Sequence, residues 1–100
     1  MLDKGGIQMY KPNPIDTSDI TLSKDILDLC EKLAENTHEV WAKGRVEQGW
    51  KYGVRRNDVL KETPCMVPYS DLPESEKEYD RNTAIETLKL IVKLGYKISK

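Results

Sequence analysis

One stripe of apolar residues limits what this chain can fold into more than any other feature. Ile26, Leu29, Cys30, Leu33, Thr37 and Val40 recur at three- and four-residue steps, the spacing that lines up one face of an α-helix. Asp28, Lys32, Glu35 and Glu39 fall on the opposite side. Ser23 stands as an N-cap before the run, and Leu22 and Leu27 are spaced as a hydrophobic staple. The pattern predicts a helix over about 23–48. Asn36-Thr37 is a weak helix pair in mid-run, and Val46 projects onto the charged side. The helix therefore either bends near 36 or has its last two turns covered on a second side. Gly49 then ends it as a left-handed residue.

A second helical region follows Pro68. Asp71 with Glu74 reads as a capping box, with Pro73 tolerated in the first turn, which gives a short helix near 72–79. Asp80 is a second candidate cap. From there Ala84, Ile85, Leu88, Ile91 and Val92 form the apolar face of a helix over 80–94. Gly95 stops it, and Tyr96 is set to pack back on Ile91 in a Schellman ending. Between the helices, Gly53, Asn57-Asp58, Pro64 and Pro68 punctuate the segment 50–69 into short extended pieces. Trp50–Val54 and Val59–Glu62 are matched there as a small β-hairpin. Residues 1–20 carry Pro12 and Pro14 without periodicity. They read as an N-terminal arm, partly extended where Tyr10, Ile15 and Ile20 can dock, ahead of one domain over 21–98. The expected class is mainly α, with the core closed by Trp50, Tyr52, Cys65, Met66, Val67 and Tyr69.

Composition removes several function classes. The chain has 100 residues, enough for one domain. Its formal charge is -1, from 16 basic and 17 acidic residues. That balance argues against a nucleic-acid binder and gives no case for an anionic membrane surface. The longest wholly apolar run is Leu90-Ile91-Val92, far from a membrane span of about 20 residues. The opening MLDKGGIQMYKPNP has no apolar core of a signal peptide, so a soluble, cytoplasmic protein is expected. Cys30 and Cys65 lie among apolar neighbours and read as reduced core thiols, with a single disulfide left open. His38 is the only histidine; without a second histidine, paired cysteines or a calcium-loop pattern, no metal and no cofactor is expected. Cys65 and His38 form a conceivable nucleophile pair. Nothing local sets Cys65 apart from a core thiol, so no catalytic residue is assigned. GVRRND holds a single glycine and no phosphate-loop context.

The candidate binding surface lies on the first helix. His38, Trp41 and Arg45, at i, i+3 and i+7, share one edge beside the apolar stripe. An indole near a guanidinium suits a planar anionic ligand, with the ring stacking and the arginine meeting a phosphate or carboxylate. The simpler reading is a core-edge tryptophan with Arg45 lying along it. The stretch EQGWKYG divides the same way. Gly49 and Gly53 permit turns and Trp50 and Tyr52 anchor the loop, or the aromatics form a ligand platform. Arg55, Arg56 and Lys61 read as a solvated hairpin surface, and ESEKEYD (74–80) as a solvated first helical turn.

Three blocks, LAENTHEVWAKGRVEQGWKYG (33–53), PCMVPYSDLPESEKEYDR (64–81) and ETLKLIVKLGYKI (86–98), together resemble the ryanodine-receptor repeat, or RyR domain. This is a small module found in pairs in the cytosolic part of large calcium-release channels and as free-standing copies in bacteria. The chain looks like a free-standing single repeat of the bacterial type. The most specific part is LAEN-x-H-x-x-WA-x-x-R-x-x-QGW-x-YG. The resemblance implies a mostly helical fold with a short hairpin and a non-catalytic binding or interaction role. It implies no pore. In the channels, paired repeats face each other across a pseudo-twofold, and their cleft can hold a nucleotide or small effector. The matching tryptophan and arginine are Trp41 and Arg45. With one repeat here, the implied partner is a protein or a second copy in a homodimer. The alternative is a nucleotide-like small ligand on Trp41 and Arg45.

Overall fold

The computed structural model describes residues 9–100, so the first eight residues of the expected arm lie outside the described residues. The fold is mainly helical. It consists of α1 (Lys24–Leu27), α2 (Cys30–Glu47), strands β1 (Lys51–Tyr52) and β2 (Glu62–Thr63), a 3-10 turn at Tyr69–Asp71, and α3 (Glu74–Lys93). α2 packs along α3, and the irregular segment 50–72 lies against both. The described chain is a slab of 43 × 42 × 23 Å.

Ser23 caps the first helix as expected, its Oγ accepting from the Ile26 amide at 3.4 Å. The interruption comes at Asp28–Leu29 and not at Asn36. There the Leu29 amide turns back to the Ile26 carbonyl at 3.0 Å, a tighter 3-10 bond that re-aims the axis. Asn36-Thr37 stays helical because Thr37 satisfies its own hydroxyl, donating to the Leu33 carbonyl at 2.8 Å. Both long helices end in Schellman motifs. Gly49 (φ 93°) and Gly95 (φ 98°) adopt the left-handed conformation. The following amides, Trp50 and Tyr96, donate back to Arg45 and Ile91 at 2.9 and 3.2 Å.

Three expectations are corrected. First, the short helix near 72–79 and the helix over 80–94 are one element. α3 runs unbroken from Glu74, directly after Pro73, and neither Asp71 nor Asp80 supplies a cap. No glycine or proline occurs between Glu74 and Lys93, so nothing makes the helix stop and restart. Second, the strands are parallel, with Lys51 paired to Glu62 and Tyr52 to Thr63, so there is no simple hairpin. The Asn57 side chain accepts from the Leu60 amide at 3.0 Å, and Asn57 forms an antiparallel bridge with Glu62. That small loop reverses the chain once more and leaves Val59 and Leu60 exposed. Third, the arm is held by Thr17 and Asp19, which bond to Glu86 (2.7 Å) and Lys93 (3.0 Å) of α3, and by buried Leu22. Tyr10 and Ile15 are exposed.

The core is small. Ala34 sits at its centre with Tyr69 and Leu72, and Cys65 and Val67 pack against them. The inward face of α2 is Cys30, Ala34 and His38. Leu29, Leu33 and Val40, the heart of the apolar stripe, stay 45%, 37% and 64% exposed. Tyr52 is also exposed and closes nothing. Cys30 and Cys65 are both free thiols.

Arg81 clamps the layers. Its guanidinium reaches Glu31 on α2 and Glu74 and Glu78 on α3, while Tyr69 Oη donates to Glu31 at 3.1 Å. Pairing with Arg81 holds the Glu31 and Glu74 carboxyls below their usual range. A carboxyl depressed in the folded state contributes stability above its unfolded pKa, and that stability is lost as pH falls through the folded value. Urea midpoints of the wild type and Arg81→Met should therefore differ most near neutral pH and converge below about pH 3. Equal differences at both pH values would contradict the clamp. Gly53 answers a different need. A Cβ there would meet Glu62 Cβ at 2.5 Å, because the parallel pair brings the two backbones together. Gly53→Ala should cost about 1–3 kcal/mol in urea unfolding.

Candidate functional site

A groove of about 420 Å³ opens where α2, α3 and the 50–72 segment meet. α2 contributes Thr37, His38 and Trp41 to it, because i, i+1 and i+4 fall on adjoining faces. α3 contributes Glu76, Tyr79, Asp80 and Thr83, at i, i+3, i+4 and i+7. Arg56, Thr63 and Cys65 close the end nearest the strands.

His38 forms its floor. The residue is 4% exposed, and its Nε2 lies 2.7 Å from the Val67 carbonyl oxygen. A carbonyl only accepts, so Nε2 carries the proton and donates. The imidazole stacks on the Trp41 indole, with centroids 5.4 Å apart and planes 25° from parallel, and sits 6.3 Å from the Tyr69 ring. Trp41 is half-buried with part of its surface in the groove.

Of the residues singled out in the sequence, His38 and Trp41 thus come together in one groove. Arg45 lies one turn further on. Its Cζ is 6.0 Å from the Trp41 ring but 5.2 Å from that of Trp50, and Nη1 donates to Gln48 at 3.3 Å. Arg56 reaches the same Trp50 ring at 5.3 Å and pairs with Asp58 at 2.8 Å. EQGWKYG therefore serves mainly as backbone. Gly49 ends the helix, Gly53 admits Glu62, Trp50 is a half-buried platform for two guanidinium groups, and Tyr52 points to solvent.

Arg56, Glu76, Tyr79 and Asp80 are the groove residues that sequence reasoning passed over. The i, i+3, i+4, i+7 spacing of Glu76, Tyr79, Asp80 and Thr83 was available, but the charge run made that face look solvated. Burial holds the Asp80 carboxyl above its usual range, against the opposing pull of nearby His38 and with Glu76 adding to the rise. Burial first, then Glu76, also pushes the Cys65 thiol up. A raised thiol is the wrong direction for a nucleophile, although Cys65 and His38 line the same groove. No group of three His, Cys, Asp or Glu side chains is set to hold a metal among the described residues. No helix among them is long and apolar enough to cross a membrane.

His38→Ala should cost about 1–3 kcal/mol in chemical denaturation, since it leaves the Val67 carbonyl unpaired in a partly buried site. His38→Gln, which keeps a donor, should recover part of the loss. The family model described as the RyR domain matches residues 10–100.

Proposed function

The chain belongs to the RyR domain family, and on that premise we propose that it is a non-catalytic recognition module. It docks another protein surface, in the first instance a second copy of itself. The observation that carries this reading is the uncovered stripe on α2. Leu29, Leu33 and Val40 remain exposed along one side of the helix, although their spacing is that of a buried face. Among the described residues no large side chain is fully enclosed. Single exposed apolar residues are ordinary, whereas several sharing one helix face suit a contact surface. A twofold copy would cover the stripe with the same stripe. Two free thiols, one of them buried, suit a reducing compartment such as the cytoplasm.

A second reading rests on the arginine pair. Arg45 and Arg56 both lie over Trp50, and Arg45 also flanks Trp41, so a nucleotide-like anion with a planar ring could stack at the Trp41 edge. Glu76 and Asp80 on the opposite wall weigh against a phosphate inside the groove itself. The first reading is therefore preferred.

Sedimentation velocity separates the two. Under the first, Leu33→Glu or Val40→Glu should shift the protein to monomer with its helical circular dichroism unchanged, and a wild type that is monomeric at every concentration would refute self-association. Under the second, nucleotides should raise the melting temperature of the wild type and not of Trp41→Ala.

A further inference from the structure

The groove has walls of unequal charge. Arg81 gathers Glu31, Glu74 and Glu78 to itself on one side of α3. Glu76 and Asp80 face the groove, and among the described residues neither takes part in a salt bridge. The one cation lining the groove, Arg56, is already paired with Asp58. Two aromatic residues, Trp41 from α2 and Tyr79 from α3, also line the groove. This combination of π-faces and carboxylates outside any salt bridge suits an organic cation.

His38 floors the groove between these walls. The residue is more than nine-tenths buried, and its Nε2 proton is spent on the Val67 carbonyl, so that donor is not offered to a ligand. The free groups of the groove are thus mainly carboxylate oxygens, which ask for a ligand that donates. A phosphate would bring only more acceptors.

We propose that the α2–α3 groove receives a guanidinium or ammonium side chain from a basic segment of the partner protein. The cation stacks against Trp41 and donates to Asp80 and Glu76. An arginine side chain fits the requirements best, because its planar group can lie on the indole while its N–H fork meets a carboxylate. The volume of about 420 Å³ falls in the range of sites that enclose small ligands. This assignment rests on the reading of the chain as a protein-recognition module and names the chemistry of what it recognises.

The probe is a capped Gly-Arg-Gly tripeptide titrated into the full chain, with Gly-citrulline-Gly as the neutral isostere. The readout is the pair of indole N–H resonances in proton–nitrogen spectra. The arginine peptide should move the Trp41 resonance well ahead of the Trp50 resonance, and the citrulline peptide should move neither. Asp80→Asn and Glu76→Gln should each weaken binding by about tenfold, the effect of losing one charge-assisted hydrogen bond. Glu35→Gln, on the outer side of α2, should leave it unchanged. Equal response to both peptides, or a Trp41 resonance unmoved at millimolar arginine peptide, overturns the proposal. Running the same titration on Leu33→Glu keeps the two ideas apart. Selective binding there supports the groove whatever the fate of self-association, and a silent groove in a chain that still self-associates removes the groove alone.

Discussion

A buried imidazole holds this small fold together. The segment from Trp50 to Leu72 has two strands of two residues each and one 3-10 turn, too little backbone pairing to fix its own position. The His38 hydrogen bond to the Val67 carbonyl ties that segment to the middle of α2. A partly buried carbonyl left unpaired would be costly, so the bond is directional as well as favourable. Once Val67 is placed, Cys65 and Tyr69 pack with Ala34 in the core, and the Tyr69 hydroxyl reaches Glu31. The residue that assembles the core thereby also lines the groove.

Charge is sorted by the packing of the helices. Arg81 sits where α2, α3 and the 3-10 turn converge and pairs with three glutamates at once. Asp80, its neighbour in sequence, turns roughly 100° away around the helix and faces the groove unpaired. On the far side of the groove, Arg45 and Arg56 converge on Trp50, where the indole face supplies the attraction that a carboxylate would otherwise give. A chain with a net charge of only -1 thus carries an acidic groove beside a cationic platform. Total charge carries no information about this local separation.

The candidate site was half legible. Helical spacing alone places His38, Trp41 and Arg45 on one edge of α2, and two of the three line the groove. Arg45 departs because Trp50, brought back by the Gly49 ending, offers a nearer ring. Glu76, Tyr79 and Asp80 share a face by the same rule, yet a charged first turn on a solvated helix has an identical pattern. Periodicity says which residues lie together on a helix and is silent about what stands opposite them.

The sequence by itself determined the class of the fold. The three-and-four spacing, the Ser23 cap and the two glycines that end the long helices in Schellman motifs are local events, governed by backbone sterics and hydrogen bonds within a few residues. The family membership, matched over residues 10–100, is likewise a property of the sequence. Tertiary structure alone decided which face of α2 turned inward. The apolar stripe of Leu29, Leu33 and Val40 had the stronger periodic signal. The buried face is nevertheless Ala34 and His38, because the small alanine admits Tyr69 and Leu72 and the histidine meets a carbonyl from 29 residues away. The parallel strand pair was decided the same way, through close approach of Gly53 to Glu62. Contacts between residues distant in sequence depend on shape and partner groups that no local pattern encodes.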